Sequence, residues 1–531
     1  MLIASGRLLR LTVVAVLACS AVAGGAGGDV ARTTTLVVDN SFVLDTLDPH
    51  RAFDPTSTII DRAVYDTLFT YDSDELAHPV PLLVRSWTSA GSKTFTFKLR
   101  RDVHFADGEP LTAADVVFSL RRLVNLKGNP AHILTGFTVS AKDKYTVVVS
   151  SRTPAPQLPA ILTNSSAAIV NSKLVESHGG TDAPDAASAD RAEQWLNSPA
   201  SAGAGSGPYE LESYTPTSQV TLRANPSYWG ARKPAFDSVV VRNMAAPVQV
   251  LNVRRGSHEI ALDLSPQQAQ TLQGGKSLHV TRQPSPWVFY AFTNDDPRIS
   301  QATSNKRFQD AVRHALDYEA LRAVAGHGAI QATGVIPSMV LGALPQQDAV
   351  KRDLARAKSA LAASGVGTER VTLEYPSDVT INGVSFATLA QKVQAELGAA
   401  GFDVALSGSP VTVFQPKFRA GKIAFGIWLY ALDYPDPVAA QVFMPGQLIA
   451  LHVGWDAGSD PAIEKLAAKA RMTTSAAARE ALYRQIERRM NTRGPFMPLI
   501  QPAQVFVATS DLAGAYFSGV YDVDVTRISP N

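Results

Sequence analysis

A short segment around residue 430 combines residue types that could bind a cation. It reads FGIWLYALDYPDP (425–437), an apolar strand that ends in two acids and two prolines. Asp433 comes where the strand stops, and Trp428, Tyr430 and Tyr434 recur with the period of two that places side chains on one face of a strand. A carboxylate within aromatic surface favours a receptor for a cation. The alternative is an Asp-based turn fixed by the prolines, and the residues alone leave both open.

Signatures of catalysis are nearly absent. The sequence has no P-loop, no GxGxxG after a strand and no HExxH, and its ten histidines are scattered. Ser385, in GVSFA (383–387), comes nearest to a nucleophile elbow, but it directly precedes an expected helix, where serine commonly serves as N-cap. The hypothesis of an extracellular hydrolase rests on Ser385 alone. We otherwise expect no enzyme, no cofactor and no metal site.

Composition excludes several further classes. The chain has 531 residues, enough for about three domain-sized units. Its 45% hydrophobic and 18% charged residues predict a folded protein and not a disordered one. The net charge of +2, without long runs of one sign, argues against a nucleic-acid partner. Cys19 is the single cysteine, which excludes a disulfide framework within the chain.

The N-terminus has the pattern of an export signal. Two basic residues precede the apolar run LTVVAVLA (11–18), which is too short to span a bilayer as a mature helix. VLA followed by Cys19 resembles a bacterial lipobox, so we expect a signal peptide over 1–18, a lipidated Cys19 and a flexible tether over 19–35. The alternative is plain secretion with cleavage after Ala23. Two acyl chains on one cysteine suffice for stable anchoring.

Strand and helix patterns alternate along the rest of the chain. TFTFKL (94–99) alternates as a half-buried strand does, and Thr112 with Asp115 has the spacing of a capping box. Apolar periodicity predicts helices at LARAKSALAAS (354–364), ATLAQKVQAELGAAG (387–401) and REALYRQIERRM (479–490). The stretch 181–207, rich in Ala, Ser, Asp, Gly and Pro, reads as an irregular surface connection. The mixture predicts an α/β or α+β protein.

Several segments together resemble the bacterial extracellular solute-binding proteins of family five, which include the oligopeptide- and dipeptide-binding components of ABC importers. Each segment is weak alone, but their order and spacing along 47–500 are specific. The segments are LDPH (47–50), VYDTLF (64–69), KTFTFKLRRDVHFADGEPLTAADVVFSLRR (93–122), SGPYELESY (206–214), NPSYWG (225–230), FQDAVRHALDYEAL (308–321), DLARAKSALAASG (353–365), ALDYPDP (431–437), AREALYRQIERRM (478–490) and PFMPLI (495–500).

The resemblance implies an α/β fold of the two-lobed periplasmic-binding-protein type, type II with an extra domain, and a ligand cleft between the lobes. Domain I would be discontinuous, formed by 36–70, 205–282 and 499–531. Domain II, over 71–204, would be an insertion on the first lobe, and domain III, over 283–498, would be the second lobe. Hinge closure would enclose the ligand.

The resemblance also implies a set of ligand-binding residues. Asp433 matches the aspartate that pairs with the ligand's ammonium group in peptide-binding members, and Tyr430 matches an aromatic position three residues earlier. The backbone of Leu429 and Ala431 would pair with an extended ligand. The remaining expected pocket residues are Trp428, Trp287, Phe289, Phe53, Asp54 and Pro55.

The implied partners are a peptide, the permease and ATPase subunits of an ABC importer, and the membrane through the lipid anchor only. The protein would act as a monomer on the outer face of the cytoplasmic membrane, or free in the periplasm or medium. LEYPSDV (373–379) and AFGIWLY (424–430) lack the arginine that takes the ligand carboxylate in some members, so peptide length stays open. A nickel chelate, an oligosaccharide or a peptide signal without uptake remain alternatives.

Overall fold

The computed structural model describes residues 34–72, 76, 78–367 and 369–531. The expected signal peptide, Cys19 and nearly all of the tether lie outside the described residues. Within this part of the chain, no helix is both long and apolar enough to cross a membrane.

A mixed seven-stranded sheet forms the centre of what we call the first lobe. Its inner strand Thr35–Asn40 pairs in parallel with strands on both sides, and the outer pairs are antiparallel. Alternate side chains such as Leu36 and Val38 are fully buried against helix Pro55–Val64. In spatial order the strands are Leu278–Pro284, Ala503–Thr509, Glu259–Ala261, Thr35–Asn40, Ser238–Asn243, Gln219–Ala224 and Tyr209–Thr215.

A four-stranded antiparallel sheet extends the first lobe with its own apolar core. Helix Ala113–Asn125 begins as predicted, since the backbone N–H and hydroxyl of Thr112 both donate to the carboxylate of Asp115 at 2.8 Å. The predicted strand Thr94–Leu99 is also confirmed. In spatial order this sheet contains Val84–Ala90, Thr94–Leu99, Thr146–Ser151 and Phe137–Asp143.

A six-stranded sheet forms the second lobe. Strand Phe425–Tyr430 is central, antiparallel to one neighbour and parallel to the other. Separate apolar clusters cover the two faces of this sheet, so its central strands are buried on both sides. In spatial order the strands are Ile330–Gln331, Phe496–Gln501, Val288–Thr293, Phe425–Tyr430, Arg370–Pro376 and Asp403–Ser409.

Short elements complete the described chain. Three two-stranded ribbons pair Phe69–Thr70 with Val80–Pro81, Thr380–Ile381 with Val384–Ser385, and Leu512–Ala513 with Ser529–Pro530. The 3₁₀ helices are Asn129–Leu134, Ser165–Ala167, Pro199–Ala204, Gln346–Asp348, Pro437–Phe443 and Val525–Arg527. The α-helices are Pro55–Val64, Ala113–Asn125, Leu158–Ile161, Ser172–Ser177, Ala186–Ala189, Glu193–Leu196, Ala246–Arg255, Pro266–Gln270, Gln301–Ser304, Lys306–Ala315, Tyr318–Ala325, Leu354–Ser364, Phe386–Ala400, Val411–Arg419, Leu448–Leu451, Pro461–Met472 and Ala476–Arg493.

Two adjacent connections join the sheets of the two lobes in the described chain. One runs through 285–287, between Leu278–Pro284 and Val288–Thr293, and the other passes through Pro502. Ser285 N–H donates to the Pro502 carbonyl at 2.9 Å, and the Gln501 side chain donates back to the Ser285 carbonyl at 2.9 Å. The connections therefore lie side by side, as in a hinge. The exact domain boundaries stay a prediction.

The motif LDPH has a structural role in the first lobe. Arg122, which has no exposed surface, donates through two nitrogens to Asp48 at 2.6 and 2.8 Å and through two to Asp190 at 2.8 and 2.9 Å. Nδ1 of buried His50 lies 3.0 Å from the same guanidinium. Asp190 belongs to the stretch expected to be an irregular surface connection. Its burial corrects that expectation, because Arg122 needs a second carboxylate for its remaining donors.

Candidate functional site

A small cavity of about 70 Å³ lies between the lobes. Its lining is a mixture of polar and apolar side chains, and Asp433 is the only charged residue among the described residues that form it. Both lobes and one hinge connection contribute: Thr58, Leu76, Asn164, Ser165, Gly519 and Val520 from the first lobe, Pro286 from the connection, and Pro337, Met339, Val340, Leu432, Asp433, Tyr434 and Pro435 from the second lobe.

Asp433 bridges the two lobes from the end of strand Phe425–Tyr430. Its side chain is 20% exposed, and its Oδ2 lies 2.8 Å from Nε2 of His132 in the first lobe. The side chain of Asn164, also in the first lobe, donates to the Asp433 backbone carbonyl at 2.7 Å. Both contacts therefore cross the cleft and meet at one residue.

His132 faces the cleft from the 3₁₀ helix Asn129–Leu134. Its Nδ1 lies 2.7 Å from the Asn129 carbonyl oxygen. The Phe53 ring lies nearly perpendicular to the imidazole, with the ring centroids 5.8 Å apart. The hydrogen bond with Asp433 raises the pKa of His132, although partial burial opposes this rise. The pair therefore favours an imidazolium beside a carboxylate.

Asp436, the second acid of the same segment, has a different role. Its side chain caps the 3₁₀ helix Pro437–Phe443 by accepting from Val438 N–H at 2.9 Å. Both of its oxygens also accept from Arg479, at 2.5 and 2.9 Å, and both side chains are nearly buried. The carboxylate of Asp436 is thus fully occupied within the second lobe, which leaves Asp433 as the acid of this segment that faces the cleft.

Comparison with known families decides the class of this protein. The model for bacterial extracellular solute-binding proteins, family 5 (middle region), matches residues 78–445, more than half of the chain. The chain belongs to this family.

Individual relatives agree with this assignment. Di/tripeptide-binding protein 2 of Pseudomonas aeruginosa is 26% identical over 512 residues, which cover 88% of this chain and 92% of that protein. The solved structure of the ABC transporter substrate-binding protein CtaP of Listeria monocytogenes superposes with a TM-score of 0.79 at 19% identity, over 94% of this chain and 99% of that one. The structure of AgaA of A. tumefaciens R10, solved with agropinic acid, superposes with a TM-score of 0.74 at 20% identity, over 94% of this chain and 99% of that one. The expected two-lobed α/β fold is confirmed.

In this family 5 solute-binding protein the aromatic row of the central strand faces the core. Trp428 and Tyr430 do share one face of their strand, but Trp428 packs on Phe414 with ring centroids 5.1 Å apart. The Tyr430 ring contacts Phe443 at 5.1 Å, and burial raises the pKa of its hydroxyl. Neither side chain lines the cavity. Both rings are half-buried against this apolar cluster, and their contact with a ligand stays a prediction.

The segment SPWVFYAF lies mostly inside the second lobe. Phe289 has no exposed surface, and its ring packs 4.9 Å from the Phe386 ring. This corrects the expectation that its side chain lines the pocket, since it points into the core between sheet and helix. Trp287 is half-buried within the hinge connection, and its backbone N–H donates to the Ser285 hydroxyl at 3.3 Å.

The backbone of the central strand has one edge that the sheet leaves open. Val288–Thr293 pairs along the strand up to Tyr430, whereas Arg370–Pro376 pairs with it only at Phe425 and Gly426. Within the described residues, the edge beyond Gly426 has no second strand partner. Half-buried Leu429 and Ala431 follow on this stretch, directly before Asp433.

The loop after LDPH enters the site through one of its three expected residues. Phe53 is 38% exposed and contacts His132. Asp54 is instead the N-cap of helix Pro55–Val64, where its carboxylate accepts from Ser57 N–H at 2.9 Å, and Pro55 is the first helical residue. Burial raises the pKa of Asp54. Both residues therefore position the helix whose Thr58 lines the cavity.

The residues that suggested a metal chelate or a hydrolase have the following surroundings in the described part of the chain. Among the described residues, no group of three or more His, Cys, Asp and Glu could hold a metal ion. His452, the histidine nearest to the central strand in sequence, packs edge-on against Phe418. Ser385 is the N-cap residue of Phe386–Ala400, the position that the sequence suggested.

The sequence analysis missed most residues of the cleft, among them His132, Asn164, Thr58, and Tyr434 as a cavity residue. His132 lies 301 positions from Asp433, and no local motif marks either it or Asn164. Tyr434 was read as part of the strand's aromatic row, yet it follows the strand and packs against the core of the four-stranded sheet. Only the pairing of the two lobes brings these side chains together.

Proposed function

We propose that this protein is the peptide-capturing receptor of an ABC importer. It binds a peptide between its lobes, encloses it by hinge closure and presents it, as a monomer, to a membrane permease that an ATPase drives. Asp433 is the counter-ion of the peptide's ammonium group. Cys19 carries the lipid that holds the receptor on the outer face of the cytoplasmic membrane.

The observation that carries this proposal is the position of Asp433 in an otherwise uncharged cavity between the lobes. A carboxylate shielded from water strongly favours a cation as partner. The side chain sits beside the open edge of the central strand, where an extended chain could add as a further strand. Main-chain pairing at Leu429 and Ala431 together with one ion pair would recognise a peptide with little regard to its side chains.

Closure supports the proposal as well. Ligand pockets usually measure about 300–1,000 Å³, whereas this cavity measures about 70 Å³. A peptide therefore requires the lobes to move apart and close again. The two connections at 285–287 and Pro502 lie side by side, as a rotation of one lobe against the other requires.

The test compares two ligands on Asp433→Asn by calorimetry. Trialanine should bind the variant about 30-fold or more weaker than the wild type, the lower end of the loss for truncating a buried charge pair. N-acetyl-trialanine, which lacks the ammonium group, should bind both proteins equally. Asp403→Asn, at an exposed position of the same sheet, is the matched control. Equal losses for both ligands would exclude Asp433 as the ammonium partner.

Native mass spectrometry of the protein purified without Cys19 tests the ligand class. A spread of bound masses that fragments as peptides supports the proposal. A single glycan, opine or metal-chelate mass would replace it with the non-peptide alternative. Metabolic labelling with a fatty acid, compared between the full chain and Cys19→Ser, tests the lipid anchor. Equal labelling of the two proteins would exclude lipidation at Cys19.

A further inference from the structure

His132 is held in a geometry that only its doubly protonated form satisfies. Nδ1 lies 2.7 Å from the Asn129 carbonyl oxygen, and Nε2 lies 2.8 Å from Oδ2 of Asp433. Carbonyl and carboxylate oxygens accept hydrogen bonds and do not donate them. Both ring nitrogens must therefore donate, which makes the ring an imidazolium in this arrangement.

Asp433 is the charged group that contacts this imidazolium. On the facing segment, Asp436 is held by Arg479, and the Tyr434 hydroxyl has a pKa that burial raises. From the first lobe, Phe53 presents a ring, while the carboxylate of neighbouring Asp54 is turned into its own helix. On the turn that carries His132, the preceding basic residue, Lys127, is exposed.

We propose that His132 is a specificity-determining residue that competes with the ligand's ammonium group for Asp433. The inference rests on the proposed function, because it assigns a second cation to the same carboxylate. Asp433 is the only acid among the described residues that line the cavity, so an ammonium and an imidazolium that both paired with it would leave one positive charge without a partner there. The ligand must therefore displace the imidazolium or meet a neutral imidazole.

Competition of this kind makes recognition depend on pH in a defined direction. At low pH His132 is charged and occupies Asp433, so only a small fraction of the protein is ready for an ammonium ligand. At higher pH the neutral ring releases the carboxylate and affinity rises. Since the hydrogen bond to Asp433 raises the pKa of His132, this change extends above the ordinary range of a histidine. The affinity for a ligand without an ammonium group should not rise with pH in this way.

The experiment measures the dissociation constant of trialanine between pH 5.5 and 7.5 for the wild type and His132→Gln. The ratio of the two constants removes the peptide's own titration. We expect the ratio, wild type over variant, to fall about tenfold as pH rises. His178→Gln serves as the matched control, because His178 is an exposed first-lobe histidine stacked on Trp195, outside the cleft; its ratio to the wild type should stay flat.

A second readout follows the His132 ring directly. By NMR titration, saturating trialanine should lower the pKa of His132, whereas N-acetyl-trialanine should not. If trialanine binds but the ratio is flat and the ring pKa is unchanged, the competition is wrong while the peptide function stands. If trialanine binds neither the wild type nor His132→Gln, the proposed function fails and the competition fails with it.

Discussion

Asp433 and Asp436 lie three residues apart, yet their carboxylates bind partners in different lobes. Asp433 faces the first lobe across the cleft, whereas Asp436 is bonded through both oxygens to Arg479 within the second lobe. The same short motif thus supplies one acid that faces the cleft and one that is bonded within the second lobe.

We expect mutations of the two acids to have different effects on the free energy of unfolding. Asp436→Ala leaves Arg479 nearly buried without its partner and should lower the free energy of unfolding by about 3–5 kcal/mol. Asp433→Ala should change it by less than about 1 kcal/mol, because His132 is 54% exposed. Urea denaturation of both variants checks this. Similar losses would contradict the division of roles.

The buried ion pairs of Arg122 predict how the first lobe responds to acid. Burial alone would raise the pKa of Asp190, but the hydrogen bonds from Arg122 outweigh it and lower the pKa from 3.8 to about 2. Because the folded-state pKa is depressed, this stabilisation is present above about pH 4 and is lost as pH falls towards 2.

Asp190→Asn should therefore lose less unfolding free energy between pH 4 and 2 than the wild type does. At neutral pH the variant should be less stable by about 1–3 kcal/mol, since Arg122 keeps a weaker partner. Urea titrations at several pH values measure both effects. An unchanged slope below pH 4 would argue against the ionised pair.

A buried acid in the second lobe predicts the opposite pH response. Glu487 has no exposed surface, its Oε1 has no hydrogen-bond partner among the described residues, and its Oε2 accepts from Ile336 N–H at 3.2 Å. Burial raises its pKa from 4.5 to about 7. The folded state therefore holds a proton that the unfolded state releases, and stability falls as pH rises from about 4.5 to 7.

Glu487→Gln keeps the shape of the side chain and removes this titration. Relative to the wild type, the variant should gain about 2–3 kcal/mol of unfolding free energy between pH 5 and 8. Thermal or urea unfolding at the two pH values gives the difference. A difference that does not change with pH would mean that Glu487 is ionised in the fold.

Gly207, in the motif SGPY, permits a close approach of two backbones. A Cβ there would lie 2.5 Å from the Ala63 carbonyl oxygen, at the end of helix Pro55–Val64. Gly207→Ala should destabilise the protein by about 1–3 kcal/mol, since backbone atoms must shift. Gly398→Ala is the matched control: apart from its neighbours and its own helix backbone, no atom of the described residues lies within 4 Å of the added methyl. This change should stabilise the protein by about 0.5–1 kcal/mol. Equal effects would contradict the close approach.

Local patterns predicted much of the fold. Helix Leu354–Ser364 has the predicted limits, and Phe386–Ala400 ends before Gly401, whose φ of +101° suits glycine. The position of Asp433 at the end of its strand also followed from the sequence. These features depend on neighbours within a few residues, which a periodicity or a cap can report.

The packing of Trp428 and Tyr430 against an apolar cluster did not follow from the sequence analysis. FGIWLY has almost no polar alternation, which is typical of a strand covered on both faces. That signal opposed the assignment of Trp428 and Tyr430 to the cleft. The sequence could not predict the partners of Asp433 either. His132 and Asn164 contact Asp433 only because one lobe packs against the other.

The order of strands has a consequence for biosynthesis. The second lobe is one continuous stretch between the two connections, whereas strand Ala503–Thr509 inserts between Glu259–Ala261 and Leu278–Pro284 of the first lobe. A chain emerging N-terminus first can complete the second lobe while the first still lacks an interior strand. Because of this gap, the sheet of the first lobe can be completed only after Ala503–Thr509 has been synthesised.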